Sequence, residues 1–268
     1  MINQFLINGK NSPGLNPFDR GLAFGDGVFR TIKIENGIPK FWKYHYEILK
    51  YDAKSIFIDI PSSRTLLADI KKLFDNNGDF VAKIIITRGV SERGYQYKKN
   101  IKCTRILLKN KFNPISKKIR NEGVNLQICK FKLSENTRLH RIKHLNRLEN
   151  VIAKSELKSG YFDGILLDKN NHINECISST IIMRKGDKLF VPKQINAGIQ
   201  GVTKKIICEK YSALGLSIKI KEISVDELFA CNEVVIVNSI LGAIPVRKVN
   251  QNKFKIYDLA DGINKIFN

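Results

Sequence analysis

Apolar and polar residues alternate along several short segments of the chain, a pattern typical of half-buried β-strands. The alternation is clear in Val28–Ile34, and Asn36-Gly37, one residue beyond it, predicts a turn into the next strand. Other short runs are rich in β-branched residues and predict buried strands. The predicted strands are Gln4–Ile7, Val28–Ile34, Ile38–Phe41, Val81–Arg88, Thr104–Leu108, Val124–Phe131, Gly164–Asp168, Ile173–Cys176, Ser179–Arg184, Lys188–Val191, Leu216–Ile220, Glu233–Val237 and Ala243–Val249.

Five further segments carry apolar residues three or four positions apart, as amphipathic helices do. Gly160 and Gly215 follow two of these segments and suit the C-terminal caps of helices. Strands and helices mix without a regular βαβ rhythm. We therefore predict an α+β protein with two mixed sheets, each with helices on one side. The predicted helices are Trp42–Ile56, Ser62–Asn77, His144–Ser159, Gln200–Leu214 and Tyr257–Phe267.

The chain of 268 residues is long enough for two domains, and its 43% of hydrophobic residues can form a substantial core. The polar stretch 109–122 contains Asn113-Pro114 and separates two halves of similar size. We predict an N-terminal α/β domain at 1–112, a linker at 113–122 and a C-terminal domain at 123–268.

The formal net charge of +21 is the unusual bulk property of the sequence. Such a charge permits nucleic-acid binding and also attracts small anions. The lysines are spread through the chain and do not gather in one motif, so we favour a lysine-rich surface and expect no nucleic-acid partner. No apolar run has the length of a membrane span, and the N-terminal residues lack the pattern of a signal peptide, so we expect a cytoplasmic protein without membrane association.

The sequence contains five cysteines and four histidines, and neither set has the spacing of metal ligands. The cysteines are scattered and odd in number, so we expect reduced thiols and no disulfide framework. We therefore predict no metal site.

Lys143 lies in the segment Arg141-Ile-Lys-His-Leu-Asn-Arg-Leu-Glu-Asn150, before the predicted helix. A lysine amine becomes a nucleophile and a base when burial or cationic neighbours lower its pKa. The neighbourhood of Lys143 is compatible with such lowering, and an ordinary surface lysine is the alternative interpretation.

Several segments together resemble the fold-type IV pyridoxal-phosphate family, from about Phe5 to Val249. Within the family they look most like its lyase branch, which acts on an anionic chorismate derivative, a small molecule. The alternative within the same fold is an aminotransferase for D- or branched-chain amino acids. The segments are Phe24-Gly-Asp-Gly-Val-Phe29, Arg93-Gly-Tyr95, Ile142-Lys-His-Leu-Asn-Arg-Leu-Glu149, Asn174-Glu-Cys176 and Asn238-Ser-Ile-Leu-Gly-Ala-Ile-Pro-Val246.

The resemblance implies pyridoxal 5'-phosphate as the cofactor, a homodimer as the assembly, and a role for each matching residue. Lys143 is then the catalytic Schiff-base lysine, and Glu175 pairs with the ring nitrogen. Val202, Thr203, Asn238 and Ser239 donate to the phosphate, where a helix N-terminus helps. Phe29 and Thr31 line the ring pocket. Tyr95 and Arg105 are candidates for the substrate carboxylates; their alternative roles are an interfacial aromatic and a surface ion pair.

Two positions depart from the family pattern. Ile48 stands where relatives carry a phosphate-binding arginine, and isoleucine cannot bind a dianion. Tyr44 on the same helical face could donate a hydrogen bond, and Lys43 or Lys50 could bring charge from neighbouring faces. Thr180 stands where relatives commonly carry an asparagine.

Overall fold

A computed structural model describes residues 4–12, 14–75, 78–213 and 218–267. The chain divides into two compact units. The first comprises Met1–Asn113 and the short segment Ile142–Asn146, and the second comprises Pro114–Arg141 and Arg147–Asn268. Within the described residues, no helix combines the length and apolar character needed to cross a membrane.

The first unit is a five-stranded sheet with the strand order β1-β5-β4-β2-β3 and three helices. Its described strand pairs are all antiparallel. Apolar side chains of the sheet, such as Ile32 and Ile84, form one core with Leu49 and Ile70 from the helices. The strands are β1 (Phe5–Ile7), β2 (Gly27–Glu35), β3 (Ile38–Pro39), β4 (Asp79–Thr87) and β5 (Thr104–Lys111), and the helices are α1 (Arg20–Phe24), α2 (Trp42–Ser55) and α3 (Ser63–Leu73).

The second unit contains a mixed sheet with the order β11-β10-β9-β12-β13-β6-β7-β8, and β14 pairs with β13. Its pairs β10–β11, β13–β6 and β6–β7 are parallel. Its strands are β6 (Val124–Lys132), β7 (Asp163–Leu167), β8 (Ile173–Cys176), β9 (Thr180–Lys185), β10 (Lys188–Pro192), β11 (Ile218–Lys221), β12 (Glu233–Asn238), β13 (Gly242–Val249) and β14 (Asn252–Lys253); its helices are α4 (Lys117–Glu122), α5 (Leu148–Ser155), α6 (Val202–Ala213), α7 (Val225–Phe229) and α8 (Leu259–Phe267).

The α+β class is confirmed, but the first sheet is antiparallel where we expected a mixed one. Helix α4 occupies most of the predicted linker 113–122 and belongs to the second unit. Its N-cap Ser116 accepts a hydrogen bond from the Ile119 N–H, which lets a polar segment begin a helix. As limits of independently folding domains, the predicted boundaries remain a prediction.

The predicted helix at His144–Ser159 begins later, at Leu148. Residues 142–146 instead lie against strand β2, and Val28 forms an antiparallel bridge with His144. The backbone of residues 142–146 forms hydrogen bonds with β2 and therefore does not form the first turn of the helix. Apolar periodicity does not reveal these bonds, so it placed the start of the helix too early. Four predicted element ends, Asn77, Leu214, Gly215 and Leu216, lie outside the described residues.

A polar cluster is buried between β2 and α2 in the first unit. It consists of Arg30 from the strand and of His45 and Asp52 from the helix. The Arg30 guanidinium donates to the Asp52 carboxylate. Burial and the nearby Arg30 charge lower the pKa of His45 from 6.5 to about 3. His45 is therefore neutral in the folded protein at neutral pH.

This burial makes the stability of the protein depend on pH. The unfolded chain binds a proton at His45 below its ordinary pKa of 6.5, and the folded protein binds it only near pH 3. Stability is therefore lost as the pH falls through this window, by about 2 kcal/mol between about pH 6.5 and 4.5. We expect His45→Gln to lose less stability than the parent over this range, as measured by urea unfolding. The matched variant His140→Gln should keep the parental pH slope, and an equal slope for His45→Gln would contradict the prediction.

Candidate active site

The segment that carries Lys143 is fixed to the first unit through its backbone. The Lys143 carbonyl accepts a hydrogen bond from the Phe29 N–H at 3.0 Å, and the Leu145 N–H donates to the Gly27 carbonyl at 2.9 Å. The Lys143 N–H donates to Asp52 Oδ2 at 3.1 Å. The backbone of Lys143 is therefore fixed through both its N–H and its carbonyl, although the segment has no regular secondary structure of its own.

The amine of Lys143 lies on one face of the Phe29 ring. Its Nζ is 4.8 Å from the ring centroid, and the Nζ of Lys83 is at the same distance of 4.8 Å. Phe29, Thr31 and Lys83 share a face of the sheet because Thr31 is the register partner of Lys83 on β4. Lys83 was missed from the sequence, since a lysine inside an alternating strand is usually a solvated residue. Its importance depends on the pairing of β2 with β4.

Glu175 is a buried carboxylate on β8 of the second unit. Its Oε2 accepts hydrogen bonds from the Ile199 N–H at 2.8 Å and from Gln194 Nε2 at 3.3 Å. Gly198, before Ile199, has a φ of +82°, and a Cβ there would lie 2.0 Å from Asn174 Oδ1. Only glycine fits this turn, which aims the next N–H group at the carboxylate.

Lys204, a half-buried lysine of the second unit, was also missed from the sequence. Lys204 donates to the Pro192 carbonyl at 2.8 Å and lies 3.4 Å from Gln194 Oε1. Burial lowers its pKa to about 8. Gln194 in turn donates to Glu175, so Lys204, Gln194 and Glu175 form one hydrogen-bonded chain.

Two turns of the second unit carry the four residues predicted to bind the phosphate. The first two residues of α6, Val202 and Thr203, are buried, and N–H groups in the first turn of a helix have no partner within the helix. The other turn follows β12, where Asn238 Oδ1 accepts from the N–H groups of Ile240 and Leu241 at 3.0 and 2.9 Å. The Asn238 side chain thus closes the turn that carries Ser239.

Thr180 lies between these two turns. Its register partner on β12 is Val237, the residue before Asn238. A Cβ added at Gly201 would be 3.1 Å from Thr180 Oγ1, so the hydroxyl also lies beside the start of α6. This placement puts a hydrogen-bonding hydroxyl at the position where the family resemblance led us to expect an asparagine.

Ile48, the other departure, is buried on α2. The buried arginine beside this helix comes from β2 instead: Arg30 donates to Asp52, which lies one helical turn after Ile48. Lys43 and Lys50 are exposed. The structure thus gives this region an arginine whose charge is balanced by a carboxylate of the same helix.

Tyr95 and Arg105 are the two residues predicted to bind substrate carboxylates. Tyr95 is 85% exposed, and its carbonyl accepts from the buried Arg20 at 2.9 Å. Arg105 lies on the opposite face of the sheet from Phe29, because its register partner is Ile86, and its Nε donates to Asp69 at 2.6 Å. Strand alternation thus directs Arg105 towards α3, and its role in binding a substrate carboxylate stays a prediction. The described residues contain no group of side chains able to hold a metal ion.

Comparison with known proteins gives a family and several relatives. The family model for class IV amino-transferases matches residues 27–249. The chain is 30% identical to an aminodeoxychorismate lyase of Vibrio harveyi, over 94% of this chain and 93% of the relative. It is also 30% identical to a D-alanine aminotransferase of Bacillus licheniformis, over 87% and 82% of the two chains.

A solved structure, the 4-amino-4-deoxychorismate lyase of Pseudomonas aeruginosa, superposes with a TM-score of 0.92 at 30% identity. The match covers 98% of this chain and 97% of that one. Since the family model and the relatives each cover most of the sequence, this chain belongs to the class IV aminotransferase family.

Proposed function

We propose that the protein is a lyase that converts 4-amino-4-deoxychorismate into 4-aminobenzoate and pyruvate, a reaction of folate biosynthesis. The similarity to the Vibrio harveyi and Pseudomonas aeruginosa lyases supports this assignment. One observation of the structure carries it: two lysine amines, Lys143 and Lys83, lie 4.8 Å from the same aromatic ring. One amine can hold the cofactor while the other attracts a substrate with two carboxylates.

The family uses pyridoxal 5'-phosphate, and the residues present fit this cofactor. The second unit supplies a fixed carboxylate, Glu175, for a protonated ring nitrogen. Ile199, which donates to Glu175, is three residues before Val202, so the carboxylate's donor and the start of α6 are at most about 11 Å apart. The hydroxyls of Thr180 and Thr203 near Gly201 suit a phosphate group. When bound, the cofactor supplies an electron sink for the charge left by proton removal.

In the proposed assignment, Lys143 Nζ would hold the cofactor and would be a free amine once the substrate is bound. The free amine then accepts the proton from C4 of the substrate. The bond between the adjacent ring carbon and the enolpyruvyl oxygen breaks, and the leaving enolpyruvate takes up a proton to give pyruvate. The substrate ring becomes aromatic, which makes the elimination strongly downhill. The task of the protein is to position one base and to stabilise charge. Glu175 would keep the nitrogen of the cofactor ring protonated, and Phe29 and Thr31 would line the pocket of that ring.

The similarity to a D-alanine aminotransferase supports a second candidate, transamination of D- or branched-chain amino acids. Both activities would use Lys143 as the base, so the product distinguishes them.

The reaction itself is the first test. With aminodeoxychorismate, the protein loaded with pyridoxal phosphate should release 4-aminobenzoate, measured by chromatography, and Lys143→Ala should lower the rate by about 10²-fold or more because the base is lost. Lys219→Ala, an exposed lysine on β11, should leave the rate unchanged. Turnover of D-alanine and 2-oxoglutarate without any 4-aminobenzoate would reject the lyase assignment in favour of the transaminase.

A substitution of Lys83 tests how the anionic substrate is bound. Lys83→Met should raise KM for aminodeoxychorismate about tenfold or more, because a charged hydrogen bond contributes about 1.5–3 kcal/mol. The spectrum of the bound cofactor should not change. The control is Lys33→Met on the same strand face as Phe29, because the Lys33 amine already pairs with Glu35 at 2.6 Å. Equal KM values for the two variants would remove Lys83 from the substrate site.

We further propose that the protein is a homodimer that works in the cytoplasm. The described cysteines are free thiols, as expected in a reducing compartment. Helix α5 exposes Leu148, Val151 and Ile152 to 74%, 62% and 47%. They lie three and four positions apart and therefore form one apolar stripe, which is unusual on a surface that contacts only solvent.

The stripe on α5 gives a test of the assembly. Val151→Asp should convert the dimer to a monomer in light scattering coupled to gel filtration, because a buried unpaired carboxylate opposes association. Ile220→Asp, at an isolated exposed position on β11, should leave the mass unchanged. A parental protein that elutes as a monomer would contradict the proposed dimer.

A further inference from the structure

Asp52 is a buried carboxylate of the first unit that contacts the segment carrying Lys143. Its relative exposure is 0%. The same oxygen, Oδ2, accepts from the Arg30 guanidinium and from the Lys143 N–H, the latter at 3.1 Å. The helix α2 therefore reaches the backbone of the candidate catalytic lysine through one side chain.

Such a carboxylate is costly for the fold. Removing Asp52 and Arg30 from water opposes folding, and a buried ion pair is often no more stable than apolar residues of similar volume. Burial raises the pKa of Asp52, and the charge of Arg30 and the Lys143 N–H oppose this shift. Packing alone gives no reason for a charged pair here, whereas the bond to Lys143 needs an acceptor at this position.

The acceptor completes a set of bonds that leaves the Lys143 backbone little freedom. Strand β2 holds the carbonyl of Lys143 through the Phe29 N–H and holds Leu145 through the Gly27 carbonyl. A Cβ at Gly27 would lie 2.8 Å from the Leu145 side chain, so the segment passes close to the strand. With its N–H fixed by Asp52 as well, the peptide directs the Lys143 side chain towards the Phe29 ring.

We propose that Asp52, with its charge balanced by Arg30, is a positioning residue that orients Lys143 for its reaction with the cofactor. This inference rests on the proposed function, because that function makes Lys143 the lysine that reacts with the cofactor. Asp52 acts through the backbone of Lys143 and does not itself contact the reacting atoms.

The chain contains a matched ion pair for the test. Arg105 on β5 and Asp69 on α3 also join a strand to a helix on the same face of the same sheet, with a distance of 2.6 Å. The Arg105 Nε donates to Asp69 Oδ2, so this bond does not involve residues 142–146. This pair therefore reports the effect of losing a strand–helix ion pair without losing an acceptor for Lys143.

The experiment compares Arg30→Met/Asp52→Leu with Arg105→Met/Asp69→Leu in the full chain. Each double variant removes both charges, so neither leaves an unpaired buried ion, and both should unfold in urea near the parental midpoint. Pyridoxal phosphate is added, the bound form is followed by absorbance, and borohydride trapping with peptide mapping measures its attachment to Lys143. Because misplacement by about 1 Å costs up to about 10²-fold, we expect trapping in Arg30→Met/Asp52→Leu to slow by about tenfold or more.

Trapping at the parental rate in Arg30→Met/Asp52→Leu would overturn the inference, and so would equal slowing in both double variants. If Arg30→Met/Asp52→Leu fails to fold, Asp52→Asn gives the test, since asparagine keeps the volume and an acceptor oxygen. Protection of the Lys143 amide from hydrogen exchange should then persist with near-parental trapping, and lost protection without slower trapping would reject the role. Absence of trapping at Lys143 in the parental protein would instead reject the proposed function.

Discussion

The hydrogen bonds around the peptide of Lys143 are the constraint on which the candidate site depends. Two residues before Lys143, the Arg141 N–H donates to the Gly198 carbonyl and the Arg141 carbonyl accepts from the Gln200 N–H, both in the second unit. The chain then enters the first unit at Ile142, where β2 and Asp52 hold the next residues. Five residues without regular structure thereby acquire a defined path, since each polar backbone group that is fixed removes conformational freedom.

In the second unit, hydrogen bonds likewise fix the turns that carry the candidate residues. Gly198 directs the Ile199 N–H to Glu175, and Gln194 adds a second bond. The start of α6 and the turn after β12 meet at Thr180 because of the pairing of β9 with β12. In both units a rigid sheet positions short irregular segments that carry the chemistry, which is the usual division of labour between scaffold and loops.

The sequence by itself determined the α+β class, most strands of both sheets and the chemistry to expect. Alternation and β-branched runs are local signals, so strands such as β2 and β12 could be predicted from neighbouring residues alone. The resemblance of whole motifs indicated the family, which the family match confirms, and it led to the prediction of Lys143 and Glu175 as site residues. It also indicated that Ile48 breaks the phosphate pattern.

Only the tertiary structure decided which side chains lie together. Lys83 shares a ring with Lys143 because β4 pairs with β2, and Asp52 reaches Lys143 across 91 residues of sequence. The register of β5 decides that Arg105, a predicted substrate contact, lies on the sheet face opposite Phe29. These relations depend on strand register and on hydrogen bonds between distant segments, and a one-residue shift of register reverses every side chain of a strand. The local pattern of residues carries no information about strand register, so only the folded structure decides which side chains meet.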